Sequence, residues 1–121
     1  MGSFRHTVEI GDPQGQRFEK VEALVGTRAI FTLVPASTLE RLGVAPKERI
    51  SFQLPSGRVV KRWIGETRLR IEGREVTSTV VFGESEAEVV LGFHALESVL
   101  LDVDLINQRL VPKDALLLAL S

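Results

Sequence analysis

The chain contains 121 residues, of which 44% are hydrophobic and 26% are charged, and fifteen basic residues face sixteen acidic ones. This size and composition predict one soluble globular domain, spanning residues 1–121, that is large enough to bury a core. The net charge of −1 predicts neither a nucleic-acid nor a membrane partner, since both attract basic proteins. Cysteine is absent, which excludes disulfides and thiolate metal sites and is compatible with the cytoplasmic location that we expect.

Residues 4–25 predict a first β-hairpin. Apolar and polar side chains alternate from Phe4 to Ile10, which is the two-residue period of a strand with one buried face. The segment GDPQGQ at 11–16 is rich in turn-forming residues, and a second strand is predicted from Arg17 to Val25.

An apolar run then breaks at residues 26–28 and resumes before a short helix. The sequence from 23 to 35 reads ALVGTRAIFTLVP, and the interruption predicts a loop between two strands. The following PASTLERLG predicts a helix, because Ser37 and Glu40 have the spacing of a capping box and Gly43 is suited to end it.

Two further hairpins and a second helix are predicted in the rest of the chain, from strand alternation around turn residues and from apolar residues at helical spacing. These elements are strands at 50–54 and 59–64 around a turn at Pro55-Ser56-Gly57, strands at 68–72 and 74–82 around Gly73, and a helix at 92–100.

The chain also contains a weak internal repeat. The segments ALVGTRAIFTLVPASTLERLG (23–43) and TVVFGESEAEVVLGFHALESVL (79–100) both run strand, loop, strand, helix. In each segment a glycine, Gly26 or Gly83, ends the first strand. The pattern predicts two related halves packed around a shared core, and the alternative is coincidence, because this order of elements is common.

The segment ALVGTRAIFTLVPASTLERLGV (23–44) resembles the signature region of the bacterial type of retropepsin-like aspartic peptidases, which are single-domain, dimeric proteins. Their signature is an apolar strand followed by Asp-Thr-Gly-Ala, of which Thr27 and Ala29 match the threonine and the alanine. VVLGFHALE (89–97) resembles the second half of the family, and LLDVDLINQRLVP (100–112) resembles its closing strands. The resemblance implies an all-β fold with two short helices, an acid-protease closed β-barrel, in which the hairpin at 55–57 is the flap.

The departures from this signature affect its chemistry. Gly26 stands where the family has its catalytic aspartate, and Arg28 stands where it has glycine. In the family, two aspartates from two chains share one proton, activate water and polarise the peptide carbonyl. Glycine can do none of this, so we expect no catalytic residue and no hydrolysis. The resemblance then implies at most binding of an extended peptide, at Gly26, Thr27, Arg28, Ala29, Pro55, Ser56 and Gly57.

Two alternatives remain open. The chain can be a variant of an active cytoplasmic aspartic endopeptidase, in which case restoring aspartate at 26 and glycine at 28 would return activity. It can also be a structural β domain without a ligand. Fold alone does not choose among these hypotheses, because function belongs to the site.

Other ionisable residues are expected to have structural or solvated roles. Asp12 lies in a turn, Asp102 and Asp104 share a strand face, and the acidic residues of 84–88 flank a loop. His6 and His94 lack a nearby histidine or cysteine partner, so we expect no metal site and no cofactor.

Arg28 has two possible roles. In a dimer, two copies could approach the axis and share an anion, or each could bend away and pair with a surface glutamate. Because arginine tolerates left-handed backbone angles poorly, we also expect the loop to be reshaped. Thr27 is implied to keep the family's hydrogen bond across the axis.

A homodimer is expected because each chain carries one signature loop. The segment ALLLAL (115–120) is apolar at every position, so a partner or the chain's own core should cover it. The resemblance implies an intersubunit sheet made of chain ends.

Overall fold

The computed structural model describes residues 2–117. Within that part of the chain, nine β-strands and two short α-helices form. Neither helix is long and apolar enough to cross a lipid bilayer. The elements are β1 (Phe4–Gly11), β2 (Phe18–Val25), β3 (Thr32–Pro35), α1 (Ala36–Arg41), β4 (Glu48–Gln53), β5 (Val59–Ile71), β6 (Arg74–Gly83), β7 (Val89–Val90), α2 (Phe93–Ser98), β8 (Leu101–Asp104) and β9 (Arg109–Pro112).

Six of the strands close into a barrel. They follow one another in the order β1, β2, β7, β3, β6 and β5, and β5 pairs back with β1 through Ile10 and Leu69. Strand β4 is attached to β5 outside the ring, and β8 and β9 form a separate two-stranded ladder. The predicted mostly-β architecture with a closed barrel and two short helices is therefore confirmed. The fully buried core includes Ile10, Val25, Val34, Leu39, Ile71, Val80 and Ala95.

The first hairpin is confirmed, with strand ends at the turn that differ from the prediction by one residue. Strands β1 and β2 pair antiparallel from Phe4 with Val25 to Gly11 with Phe18. Phe4, Val8 and Ile10 are buried on the face that the alternation assigns to the core. The predicted turn is stabilised by Asp12, described below.

The strands predicted at 59–64 and 68–72 are one element rather than two. Strand β5 runs without a break from Val59 to Ile71, pairing first with β4 and then with β6. Gly65 lies at the changeover, where an added Cβ would be 2.7 Å from the backbone oxygen of Ala45. Glycine allows this close backbone approach, and the strand continues through it. The sequence pattern around Gly65 does not predict this continuity.

The predicted internal repeat is visible in the strand pairing. The first unit is defined here as β2 through α1 (residues 18–41), and the second unit as β6 through α2 (residues 74–98). Leu33 of β3 pairs with both Val81 and Val90, while Val90 of β7 pairs with both Leu24 and Leu33. Exchanging the two units leaves this set of pairs unchanged, so the units are related by a pseudo-twofold axis between Leu33 and Val90.

The helix ends differ in part from their prediction. Helix α1 begins at Ala36 after Pro35, and no side chain caps it, so the predicted capping box of Ser37 with Glu40 is wrong. Its end follows the prediction: Gly43 has φ +75°, and the backbone N–H groups of Gly43 and Val44 donate to the oxygens of Glu40 and Leu39. This is the Schellman arrangement, in which glycine takes the left-handed position.

Candidate functional site

The loop that joins β2 to β3, residues 26–31, is held by the start of α2. The backbone N–H of Phe93 donates to the oxygen of Ala29 over 2.9 Å, and the N–H of His94 donates to the oxygen of Ile30 over the same distance. These two N–H groups have no partner inside the helix, because they belong to its first turn. The helix start therefore fixes the position of the loop backbone.

Gly92 and Thr32 complete this attachment. The N–H of Gly92 donates to Oγ1 of Thr32 over 2.9 Å, and Thr32 is fully buried. A Cβ at position 92 would lie 2.4 Å from the carbonyl carbon of Phe31 and 2.5 Å from the nitrogen of Thr32. Only glycine lets the helix start approach the loop this closely. Both residues were missed as site determinants, although the glycine before the second helix is visible in VVLGFHALE.

The loop itself is built around Gly26. This residue has φ +91°, whereas Arg28 is not among the described residues with positive φ. The residue with a left-handed φ is therefore Gly26 and not Arg28, in line with the poor tolerance of arginine for such angles. Leu105, just after β8, covers Gly26 so closely that its Cδ2 would lie 2.7 Å from an added Cβ. Thr27 accepts a hydrogen bond from the N–H of Ala29 over 3.2 Å, within its own loop.

A large cleft of about 1250 Å³ opens between this loop and the β4–β5 hairpin. Its walls are mainly apolar, with charged side chains at several points. The lining residues are Thr27, Arg28, Ala29, Ile30, Phe31, Leu33, Phe52, Gln53, Leu54, Pro55, Gly57, Arg58, Val60, Arg62, Val81, Gly83, Glu84, Glu86, Ala87 and Val90.

The cleft brings together five of the seven residues assigned to peptide binding. They come from the two distant segments that the resemblance paired: Thr27, Arg28 and Ala29 from the loop, and Pro55 and Gly57 from the hairpin turn. Gly26 and Ser56 belong to the same two turns but do not line the cleft. Ser56 instead accepts a hydrogen bond from the N–H of Arg58, at the outside of the turn.

The hairpin contributes lining residues that sequence reasoning missed. Phe52 pairs with Val60 and Ile50 pairs with Arg62 across β4 and β5, so these side chains share one face of the hairpin. The two-residue period of the strands could have placed Phe52, Val60 and Arg62 together. It could not have shown that this face turns towards the loop.

The charged side chains of the cleft are unevenly paired. Arg62 donates to Oε1 of Glu84 over 3.3 Å. Arg28 is exposed, and within residues 2–117 its guanidinium makes no ion pair or hydrogen bond. The alternative in which Arg28 pairs with a surface glutamate is therefore not what the described part of the chain shows. Among these residues, the Arg58 guanidinium and the Glu86 carboxylate also lack a partner.

The aspartates do not line the cleft: Asp12 lies between β1 and β2, and Asp102 and Asp104 belong to β8. The Asp12 carboxylate accepts the backbone N–H groups of Arg17, Gln16 and Gln14, and its pKa is lowered first by the Arg17 bond. Asp104 accepts hydrogen bonds from Asn107 and Arg109, and the Asn107 side chain contributes most to lowering its pKa. These contacts agree with the expected structural roles.

The two histidines and the acidic loop also have identifiable contacts. His6 Nε2 lies 2.8 Å from Oε2 of Glu72, and the His94 ring meets the Phe31 ring edge-on at 6.1 Å. Glu88 forms an ion pair with Arg5 at 2.5 Å. The acidic residues 84, 86 and 88 are exposed, as expected, and Glu84 and Glu88 also form surface ion pairs with arginines.

No protein-family model matches this sequence, and no curated protein matches it. Solved structures do match it in fold. The protease of simian foamy virus (mac) has a TM-score of 0.56 and 19% identity, covering 78% of this chain and 92% of the viral one. The protease of EIAV, solved with the inhibitor HBY-793, has a TM-score of 0.58 and 14% identity, covering 79% and 86%.

A third match comes from a cellular protein. The retroviral protease-like domain of Ddi1 from Leishmania major has a TM-score of 0.57 and 18% identity, and the match covers 95% of this chain and 91% of that domain. This last likeness therefore extends over nearly the whole chain, at low sequence identity. The comparisons, the closed barrel and the paired units agree, and this chain has the retropepsin-like fold of acid proteases.

Proposed function

We propose that this protein is a homologue of retropepsin-like aspartic peptidases that does not hydrolyse peptides but binds them in an extended form. The observation that carries the proposal is Gly26, at the head of a loop that helix α2 holds in place. The loop contributes no ionisable oxygen to the cleft. General acid–base catalysis contributes about 10²–10⁴-fold to a rate, and a mechanism built wholly on a carboxylate pair loses more than that.

The two cleft carboxylates are poor substitutes for an aspartate pair. Glu84 is bound to Arg62, and its side chain is 81% exposed. Glu86 is exposed on the same loop, and no hydrogen bond joins it to Glu84 or to residues 26–29. A catalytic pair needs two carboxyl groups held together around one water molecule. The positions of these two glutamates support binding rather than catalysis.

The alternative, an active peptidase that two reversions would restore, has an observation against it. Aspartate at 26 would have to adopt φ +91° or rebuild the turn, and its Cβ would displace Leu105. The turn therefore accommodates glycine better than aspartate at this position. We expect Gly26→Asp with Arg28→Gly to restore no cleavage.

Peptide binding is supported by the shape and chemistry of the cleft. It is mainly apolar with a few polar groups, as ligand sites usually are, and its volume exceeds that of most small-molecule pockets. The β4–β5 hairpin, which we identify with the flap, has β4 as an edge strand with unpaired backbone groups. An extended peptide can add to such an edge while its side chains enter the cleft.

A homodimer is supported by apolar side chains that the described chain leaves uncovered. They are Ile30, Phe93, Ile106, Leu116 and Leu117, exposed by between 54% and 84%. The remainder of the ALLLAL segment, 118–120, lies outside the described residues. Sedimentation should show a dimer that Phe93→Glu dissociates, whereas Val59→Glu, an equally exposed change on the hairpin, should leave it intact. A wild-type monomer at high concentration would contradict this assembly. We keep the cytoplasmic location and the single domain as predictions.

The hydrolysis proposal is tested by digestion of a broad peptide library at acid and neutral pH. We expect no cleavage by the wild-type protein and saturable binding of some extended peptides. Cleavage that survives repeated purification and disappears in Glu84→Gln or Glu86→Gln would overturn the proposal and assign the chemistry to the acidic loop. Absence of both cleavage and binding would favour the structural-domain alternative.

A further inference from the structure

We infer that Arg28 and Arg58 make the cleft a receptor for an extended peptide that carries a carboxylate among apolar residues. This inference rests on the proposed peptide binding and specifies its ligand class. It depends on two arginines that line one cleft, one from the loop after β2 and one from the hairpin turn, and whose guanidinium groups have no acidic partner within residues 2–117.

The charge balance of the cleft favours one negative group. Three arginines and two glutamates line it, and one arginine, Arg62, is already bound to Glu84. Arg28 and Arg58 remain against Glu86, which leaves one excess positive charge. A single carboxylate from a ligand would neutralise it, and a guanidinium can bind a carboxylate with two parallel hydrogen bonds.

The same balance disfavours polyanions. Glu84 and Glu86 stand on the wall of the cleft, so a ligand with several phosphates would meet like charge along its length. The remaining lining is largely apolar, including Phe31, Phe52 and Val81. Apolar side chains on either side of one acidic group match this surface, whereas a nucleic acid does not.

Both arginines project from backbone that hydrogen bonds hold in place. The loop that carries Arg28 is attached to α2 through the carbonyl oxygen of Ala29. Arg58 follows a tight turn in which its carbonyl oxygen accepts the N–H of Leu54 over 2.8 Å. Fixed attachment points reduce the entropy lost when the two side chains close on a ligand. A peptide lying between loop and hairpin would pass between them.

The test uses three peptides with the same apolar sequence and acetylated N-termini. One carries a central glutamate and an amidated C-terminus, the second carries glutamine in its place, and the third is the glutamine peptide with a free C-terminal carboxylate. We expect one of the two carboxylate peptides to bind about tenfold more tightly than the neutral peptide at low salt. Comparison of the two identifies a side-chain or a terminal carboxylate as the recognised group.

Arginine variants locate the effect. Arg28→Gln and Arg58→Gln should weaken the preferred carboxylate peptide towards the neutral one, with little change for the neutral peptide itself. Arg49→Gln is the matched control, because Arg49 lies over the Trp63 ring on the other face of the hairpin, outside the cleft. Arg28→Glu should reverse the preference towards a lysine peptide. Arg28 is exposed, so we expect these proteins to fold, which circular dichroism checks.

The outcomes separate this inference from the function on which it rests. Equal binding of all three peptides, unaffected by either arginine change, would leave peptide binding intact and overturn the carboxylate preference. If none of the peptides binds, and no library peptide does either, both proposals fail. A carboxylate preference that survives both arginine variants but disappears in Arg49→Gln would also overturn the inference.

Discussion

The two units of the barrel share a backbone plan, but only the loop of the first unit is held by a helix. Phe93 and His94 of α2 donate to the loop of the first unit. Within residues 2–117, α1 makes no such bonds to residues 83–88. The equivalents of Gly92 and Thr32 are Pro35 and Val89, at the same spacing in each unit. Proline has no backbone N–H to donate, and the side chain of valine has no oxygen to accept a hydrogen bond. The second unit therefore lacks both the donor and the acceptor.

The two loops therefore differ in how they are held, although the two units share a backbone plan. In the first unit, hydrogen bonds from α2 fix the backbone of the loop, so that a site can be built on it. The loop of the second unit is an acidic wall in which Glu84 and Glu88 form exposed ion pairs with Arg62 and Arg5. The first two predictions below test how the loop of the first unit is held, and the other two test further differences between the units.

The strongest test is Gly92→Ala. The new Cβ would lie within 2.4 to 2.6 Å of backbone atoms of residues 30–32, and backbone cannot move aside as a flexible side chain can. We expect a loss of at least about 3 kcal/mol in the free energy of unfolding, measured by urea titration, or failure to fold. A change below about 1 kcal/mol would mean that the helix start is not tightly packed on the loop.

A smaller effect is expected from Thr32→Val. Valine preserves the shape but leaves the N–H of Gly92 without its acceptor, which costs about 1–3 kcal/mol when the group is buried. The variant makes the first unit resemble the second, which has Val89 there. Thr77→Val, on the exposed part of β6, is the matched control and should change stability by less than about 0.5 kcal/mol. Equal effects of the two substitutions would show that the hydrogen bond does not hold the loop.

The sequence predicts the local elements of both units because they depend on neighbouring residues. Alternation locates the hairpins, and Gly43 marks the end of α1 because a left-handed residue is needed there. The capping box fails because Pro35 occupies the N-cap position and α1 begins at Ala36, which places Ser37 inside the first turn. The position of the preceding proline therefore decides where the helix begins, and the capping preference of Ser37 does not.

The candidate site is less accessible to sequence reasoning. The resemblance identifies the loop and the hairpin turn, and the fold brings them to one cleft. The Gly92–Thr32 bond and the cover of Gly26 by Leu105 join residues far apart in the chain, and no periodicity encodes such pairs. Arg62 belongs to a predicted strand and Arg58 directly precedes it, but only the fold brings both to the same cleft as Arg28.

A third test concerns the ends of the helices. Position 43 ends α1 with φ +75°, while the equivalent Leu100 ends α2 with φ +60° although it is not glycine. An added Cβ at 43 would meet no atom within 4 Å, so Gly43→Ala should cost only the left-handed conformation, about 1 kcal/mol. Gly2→Ala, where space is also open and φ is not positive, is the control and should be near neutral. A larger loss at 43 would indicate packing that the open space does not explain.

The smallest expected effect is a pH dependence that arises from an ion pair between α1 and β2 of the first unit. Arg41 of α1 donates to both carboxylate oxygens of Glu19 on β2 over 2.8 Å, and this hydrogen bond is the main cause that lowers the pKa of Glu19. The second unit has Val76 and Ser98 at these positions. Because the folded pKa lies below the ordinary value of 4.5, the stabilisation is present above that pH and is lost as the pH falls through the folded pKa. Glu19→Gln should therefore be less stable than wild type at neutral pH and equal to it in acid, whereas Glu40→Gln, an exposed change on α1, should show no such convergence. A difference between Glu19→Gln and wild type that stays constant from neutral to acid pH would assign the loss to packing rather than to charge.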